Sequence, residues 1–367
     1  MKIVRRIKDL MNKAKWNIFP TYMADRLYNN AKKKKIVWWG QRDCFSDIED
    51  NCKIFLSKEQ LDDSAYRKSV IRDIILSYRK YGMTANEYFS YGFPKKNAYE
   101  RNKYISRMRK DKLCMEAIGK NWKDALAQLK DKNIFYSIAG QFFKRKACKV
   151  DSEDDRSNFK LFCQGLDRFI AKPSKGACGK GVEIISLLEK SADEVFDYLR
   201  SNGSYIVEEL VKQDARMAEW NESSVNTIRY FSFRKGSDFS TMVSVLRVGR
   251  KGSVVDNAGC GGVFAAIDSN TGIIITDGHD ELGRVFKEHP ESNKVFKGYK
   301  IPEWESLKKF AQEVHKSLPE CHKYIGFDFA LSTQGWVLIE GNWGDIIMPQ
   351  ISLGRGFYDE FKEAILK

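Results

Sequence analysis

The 367-residue chain is 43% hydrophobic and 13% aromatic, enough for a sizeable core and for two or three domains of ordinary size. Its 63 basic residues against 49 acidic ones leave a net charge of +14, which favours nucleic acid, anionic lipid, an acidic glycan or a phosphorylated substrate without choosing among them. No apolar run approaches the ~18 to 20 residues of a membrane span, Met1 to Phe19 lacks the apolar core of a signal peptide, and eight cysteines are scattered without a Cys-x-x-Cys pair. The expectation is a globular protein inside the cell with reduced, mostly buried thiols.

Residues 1–35 read as a basic helical arm. Ile3, Val4, Ile7, Leu10, Met11 and Ala14 recur at near-helical spacing among lysines and arginines, and Lys32 to Lys35 form a four-lysine run. Such an arm either packs on its own domain with a solvated basic face or lies on an anionic membrane as a peripheral anchor. Residues 36–120 look mainly helical, with an apolar repeat through Val70 to Tyr81 and a basic, tyrosine-rich stretch from Tyr99 to Lys112. That stretch carries no zinc-finger or RNP-type signature, which leaves nucleic-acid binding as a minor alternative.

From Asp131 short strands and glycine loops take over. Lys132 opens a helix. In Lys172-Pro-Ser-Lys-Gly-Ala-Cys-Gly-Lys-Gly181 a strand ends at Lys172, and Gly176, Gly179 and Gly181 form a loop before extended structure resumes at Val182. Glycines let backbone N–H groups approach an anion while Lys172, Lys175 and Lys180 supply charge, so the stretch reads either as a phosphate clasp or as a flexible basic hairpin loop. It is not a Walker A loop, because a strand follows it. Ser204-Tyr-Ile-Val-Glu-Glu-Leu-Val211 reads as a strand carrying Glu208 and Glu209 at its end. That end either offers backbone to an adenine edge and a carboxylate to ribose, or is an ordinary solvated one.

Residues 225–233 and 241–248 read as consecutive strands with Arg229 and Arg247 inside apolar runs, edge or paired residues or else clamps for phosphate or carboxylate. Gly259, Gly261 and Gly262 precede a further strand, and His279 sits in a polar loop. Tyr324 to Asn342 predicts a β-hairpin with Thr333-Gln334-Gly335 as a three-residue turn. Facing Ser332 with Trp336 puts Asp328 opposite Glu340, with Asn342 on the same face. The two acids are either solvated strand residues that repel one another or, with Asn342, oxygen ligands for a divalent cation such as Mg2+.

The order of these signals resembles the ATP-grasp superfamily: an Asp-Lys pair, a second lysine 40 residues on with a glycine loop, a Glu-Glu strand end, two strand arginines, and Asp-x11-Glu-x-Asn. Ser-Val-Asn-Thr-Ile-Arg229, Arg247-Val-Gly, Asp256-Asn257, Ile267-Asp268 with Thr271-Gly272, and Glu-Gly-Asn342 look like the sugar-transfer-associated group met among polysaccharide biosynthesis proteins. The resemblance covers about Leu129 to Asn342. It implies an α/β (α+β) ATP-grasp fold with a mobile glycine-loop lid. Residues 1–120 would be the helical region, 121–210 the lid-bearing subdomain and 211–367 the catalytic subdomain with its metal site.

By the same resemblance, ATP phosphates fall to Lys132 and Lys172 under a lid of Lys175, Gly176, Gly179 and Gly181. Adenine and ribose fall to Glu208, Glu209, Leu210 and Val211, Mg2+ to Asp328, Glu340 and Asn342, and phosphate or an activated carboxylate to Arg229 and Arg247. The implied activity is ATP-dependent joining of a carboxylate, such as a uronic acid, to an amine through an acyl phosphate. The rivals are an ATP-grasp kinase acting on a hydroxyl and a non-catalytic basic module for nucleic acid or membrane. Trp343 follows Asn342 where relatives carry small residues, and the N-terminal third matches no ATP-grasp motif.

Overall fold

The structure, a computed structural model, describes residues 20–34, 37–38, 42–176, 179–250, 252, 256, 261–344 and 346–366. The chain divides into two compact units. One runs to Lys110 and includes Gly354–Tyr358; the other comprises Asp111–Leu353 and Asp359–Lys367.

Among its described residues the first unit is helical apart from a small ladder of β1 (Val37–Trp38) and β2 (Arg42–Asp43) and the connecting turns. Its longest described helix, Ser64–Tyr81, is started by Asp63, whose carboxylate accepts the backbone N–H groups of Ala65 and Tyr66, and is stopped by Gly82 at φ 69°. Val70, Ile71, Ile74 and Ile75 lie buried along it at the spacing the sequence displays. Pro20–Lys34 is also helical, whereas the rest of the basic arm, residues 1–19, lies outside the described residues.

The second unit holds two antiparallel sheets, each with its own core. The smaller contains β3 (Ala147–Val150), β4 (Arg168–Pro173), β5 (Glu183–Ser186) and β6 (Tyr205–Glu208) in the order β3-β6-β4-β5. Helices Arg156–Cys163 and Ala192–Asn202 contribute Phe159, Phe162 and Phe196 to a core with Phe169. Pro173 does not end its strand early: it still pairs with Tyr205 in the β4–β6 ladder, and the turn begins after it.

The larger sheet contains β7 (Thr227–Lys235), β8 (Asp238–Thr241), β9 (Ser244–Val248), β10 (Val263–Ile267), β11 (Gly278–His279), β12 (Val285–Phe286), β13 (Tyr324–Ser332) and β14 (Gly335–Asn342). Their order is β12-β11-β10-β9-β7-β13-β14, with β8 paired to β7. Phe327, Phe329, Trp336 and Leu338 share a core with Phe135 from helix Lys132–Ala139 and Phe310 from helix Trp304–Ser317. On the opposite face Phe233 and Tyr324 pack on Phe361, leaving polar residues in the middle of β7, β9, β13 and β14.

The β13–β14 hairpin forms with a different turn from the expected one. Ser332 pairs with Gly335 and Leu331 with Trp336, so the loop is the two residues Thr333 and Gln334 rather than three. An unbroken ladder of that register would set Glu340 opposite Phe327, on the apolar face. A bulge intervenes: Phe329 pairs with Leu338 but Asp328 with Glu340, leaving Ile339 as the extra residue. The expected Asp328–Glu340 pairing is therefore present, reached through a bulge instead of a longer turn.

Candidate active site

Asp328 is buried at the centre of the larger sheet's polar face. Arg229, its ladder partner on β7, donates from Nε to Oδ1 at 2.5 Å and from Nη2 to Oδ2 at 3.0 Å. Arg247 on β9 donates from Nη1 to Oδ2 at 3.0 Å. Burial opposes ionisation of Asp328, but the two guanidinium charges outweigh it and hold the carboxyl below its usual range. The two strand arginines are thus both paired with Asp328, and they remove the repulsion expected between Asp328 and Glu340.

Arg247 reaches further. Its Nη2 lies 2.5 Å from Oδ1 of buried Asp256, while the other oxygen of Asp256 accepts the N–H of Thr227 at 3.0 Å and its hydroxyl. Burial raises the Asp256 carboxyl despite Arg247. Arg247 Nε is buried with no hydrogen-bond partner among the described residues, a donor left for an anion. The sequence marks neither Asp256 nor Thr227 as a site residue beyond the Asp256-Asn257 pair; Asn257 and Gly259 lie outside the described residues.

Three of the four acceptor positions of a carboxylate are used on Asp328, so one remains. Glu340 makes no hydrogen bond or ion pair among the described residues, and Asn342 Oδ1 receives only a 3.4 Å contact from Arg229 Nη1. Two carboxylates and an amide oxygen on one face suit a hard cation, and the unpartnered Glu340 is the feature that fits one best.

The lysines lie on the smaller sheet's side. Lys172, on β4, donates to Glu208 Oε1 at 2.8 Å, and Arg145 donates from Nε to the other oxygen at 3.1 Å. Burial pushes Glu208 up, yet Arg145 and Lys172 prevail and hold it below its usual range. The Glu-Glu end is therefore not a solvated one at Glu208, since buried charge requires partners and these two cations provide them. Glu209 is tied by its backbone N–H to Lys146 O at 2.9 Å, with Leu210 and Val211 following half-buried. Arg145 also donates to Leu338 O on β14 at 2.9 Å, so one side chain joins the two sheets. Nothing in its basic neighbourhood, Lys144-Arg-Lys146, distinguished it in the sequence.

Lys132 opens its helix as expected, behind an Asp131 cap that accepts from Asn133 N. Its backbone N–H donates to Ser174 O at 2.8 Å and its ammonium to Gly176 O at 3.1 Å. Lys175 lies 3.6 Å from Asp131. The glycine loop is thereby stitched to the helix carrying the first lysine. Gly181 has φ +73°, and a Cβ there would stand 2.9 Å from the Pro173 ring, so only glycine closes the loop without strain. Gly179 is described beside it, whereas residues 177 and 178 are not. His279 lies on short β11, where Nδ1–H donates to Asp277 O at 2.9 Å and burial lowers its pKa.

The model of the family described as sugar-transfer associated ATP-grasp matches residues 119–364. The chain belongs to that family. The match takes in both sheets of the second unit and leaves residues 1–118 outside it. Solved structures similar to this ATP-grasp chain include the N5-carboxyaminoimidazole synthase of Aspergillus clavatus, at 8% identity and TM-score 0.36 over 60% of this chain and 46% of that one. The D-alanine-D-alanine ligase of Helicobacter pylori is similar at 16% identity and TM-score 0.38, over 65% and 59%. D-alanyl-alanine synthetase A of Vibrio cholerae is similar at 12% and 0.39, over 66% of each. The chain spans just under half the length of the first of these. No curated protein matches it.

Proposed function

We propose that this ATP-grasp protein is an ATP-dependent carboxylate–amine ligase that modifies a sugar acid during assembly of a cell-surface polysaccharide. The observation that carries the reading is the joining of a lysine-bearing sheet to an acid-bearing sheet by Arg145, which bonds Glu208 on one and Leu338 on the other. In this reading residues 121–210 supply the phosphate-binding side and residues 211–367 the metal side.

Lys132 and Lys172 hold the nucleotide phosphates, with Lys175, Gly176, Gly179 and Gly181 closing over them. Lys172 leaves Glu208 for the phosphate, while Arg145 keeps the Glu208 carboxylate ionised and in place. Glu209, Leu210 and Val211 take the adenine and ribose. Glu340, Asn342 and the remaining acceptor position of Asp328 would hold Mg2+, which would supply neutralisation of phosphate charge. Arg247, with its unpartnered Nε, and Arg229 orient the carboxylate substrate and stabilise charge on the transferred phosphoryl group. A carboxylate oxygen of the substrate bonds to the γ-phosphorus as the β–γ bridge breaks, releasing ADP. The amine then attacks the acyl carbon, phosphate leaves, and the amine proton passes to solvent.

The test is mass spectrometry after incubation with Mg-ATP and pools of uronic acids, amino acids and amines. An amide product with ADP release dependent on both an acid and an amine is expected. A phosphorylated hydroxyl would make the protein a kinase, and failure to bind Mg-ATP would revive the non-catalytic module.

A further inference from the structure

The positive charge of this chain is not spread along it. The first 110 residues hold 26 lysines and arginines against 12 aspartates and glutamates, a net of +14. Residues 111–367 hold 37 against 37, so the whole excess lies in the stretch the family does not cover.

Within the first unit part of that charge is gathered on one surface around Arg109. The Arg109 guanidinium stacks 5.2 Å from the Tyr81 ring and donates to Asn102 O at 3.1 Å and to Tyr104 O at 3.4 Å. Three lysines surround these residues. Lys80 stands 5.2 Å over Tyr81, Lys96 5.3 Å over Tyr104 and Lys103 4.3 Å over Tyr99. Each ammonium rests on a ring and has no acidic partner among the described residues. Cation–π contact orders a lysine without neutralising it, so the cost of immobilising the side chain on binding is lowered. Tyr99 is 72% exposed and offers a free aromatic edge beside Lys103.

We propose that this surface docks an acidic polysaccharide, its lysines meeting successive carboxylates and Tyr99 packing on a sugar ring. The proposal rests on the glycan setting argued above and assigns the polymer's contact to the first unit, leaving the charge-balanced unit to the chemistry. A lipid surface is disfavoured because, among the described residues, the large apolar side chains exposed beside the lysines are Tyr99 and Met108, too little to enter a bilayer.

Binding of the full chain to fluorescent polygalacturonate, without nucleotide, is compared with a K80E/K96E/K103E variant whose circular dichroism and melting temperature match the parent. The variant should bind at least about tenfold more weakly, and parent binding should weaken as salt rises. Equal affinity of the two proteins overturns the proposal. So does tighter parent binding to single-stranded oligonucleotide or phosphatidylglycerol vesicles than to polygalacturonate at equal charge concentration. Amide formation with monomeric substrates separates the two readings: it stays at the parent rate in the variant if only docking is lost, and is absent from both proteins if the ligase reading fails.

Discussion

Glu340 stands on the polar face of the larger sheet without a hydrogen-bond partner among the described residues, whereas its neighbour Asp328 is bound by two arginines. Replacing Glu340 with glutamine keeps its shape and removes its charge, so ADP formation should fall at least about a hundredfold with little change in unfolding midpoint. Unaltered ADP formation would remove Glu340 from the proposed metal set. Glu208 behaves differently because it is buried between Arg145 and Lys172. Arg145→Met should cost about 3 to 5 kcal/mol at neutral pH, since it strands a buried carboxylate. Glu208 is held below its unfolded value, so its contribution is complete above the ordinary carboxylate range and is lost as pH falls through the folded value. The stability gap between parent and variant, measured by urea unfolding, should therefore shrink as pH falls below about 4. A gap that stays constant with pH would show that Arg145 acts through packing alone.

Helix Lys132–Ala139 and strand β14 meet at Gly341, where a Cβ would lie 2.5 Å from the Phe135 ring. Gly341 sits between Glu340 and Asn342 but faces the opposite way, so the helix bearing Lys132 packs directly behind the acidic residues. Gly341→Ala should destabilise by about 1 to 3 kcal/mol and raise the Michaelis constant for ATP, because the helix must shift to admit the methyl group. An unchanged constant would mean that Lys132 does not depend on this packing. For the glycine loop, trypsin cleavage after Lys175 and Lys180 should slow with Mg2+ and a non-hydrolysable ATP analogue. Equal rates with and without nucleotide would argue against closure over the phosphates.

The molecule combines a helical, strongly basic unit with a charge-balanced two-sheet unit that belongs to an ATP-grasp family. No helix among the described residues is long and apolar enough to cross a membrane. If nucleotide binds the folded chain alone, an analogue at a hundred times its dissociation constant should stabilise it by about 2.7 kcal/mol. The part of that gain requiring Mg2+ should vanish in Glu340→Gln and persist in the lysine surface variant. Loss of the gain in the lysine surface variant would count against a division of docking from nucleotide binding.

The sequence by itself determined the family and the order of the candidate site's residues along the chain. Lys132, Lys172, the Glu208–Glu209 strand end and the Asp328-Glu340-Asn342 spacing are local patterns, and strand alternation and glycine loops are set by near neighbours. It also determined that the described N-terminal residues are mainly helical, because the apolar spacing from Val70 to Tyr81 is a property of one helix. Tertiary structure decided which charges meet. Asp328 is bound by arginines 99 and 81 residues away because β7 lies between β13 and β9, an adjacency that strand periodicity does not encode. Arg145 finds Glu208 only where the two sheets join. The bulge at Ile339 shows the division most clearly. Alternation predicts that Glu340 faces Asp328 only once the turn is known, and the actual two-residue turn would have pointed it into the apolar core. The extra residue restores it to the polar face, because burying an unpaired carboxylate against Phe327 costs far more than interrupting one rung of the ladder.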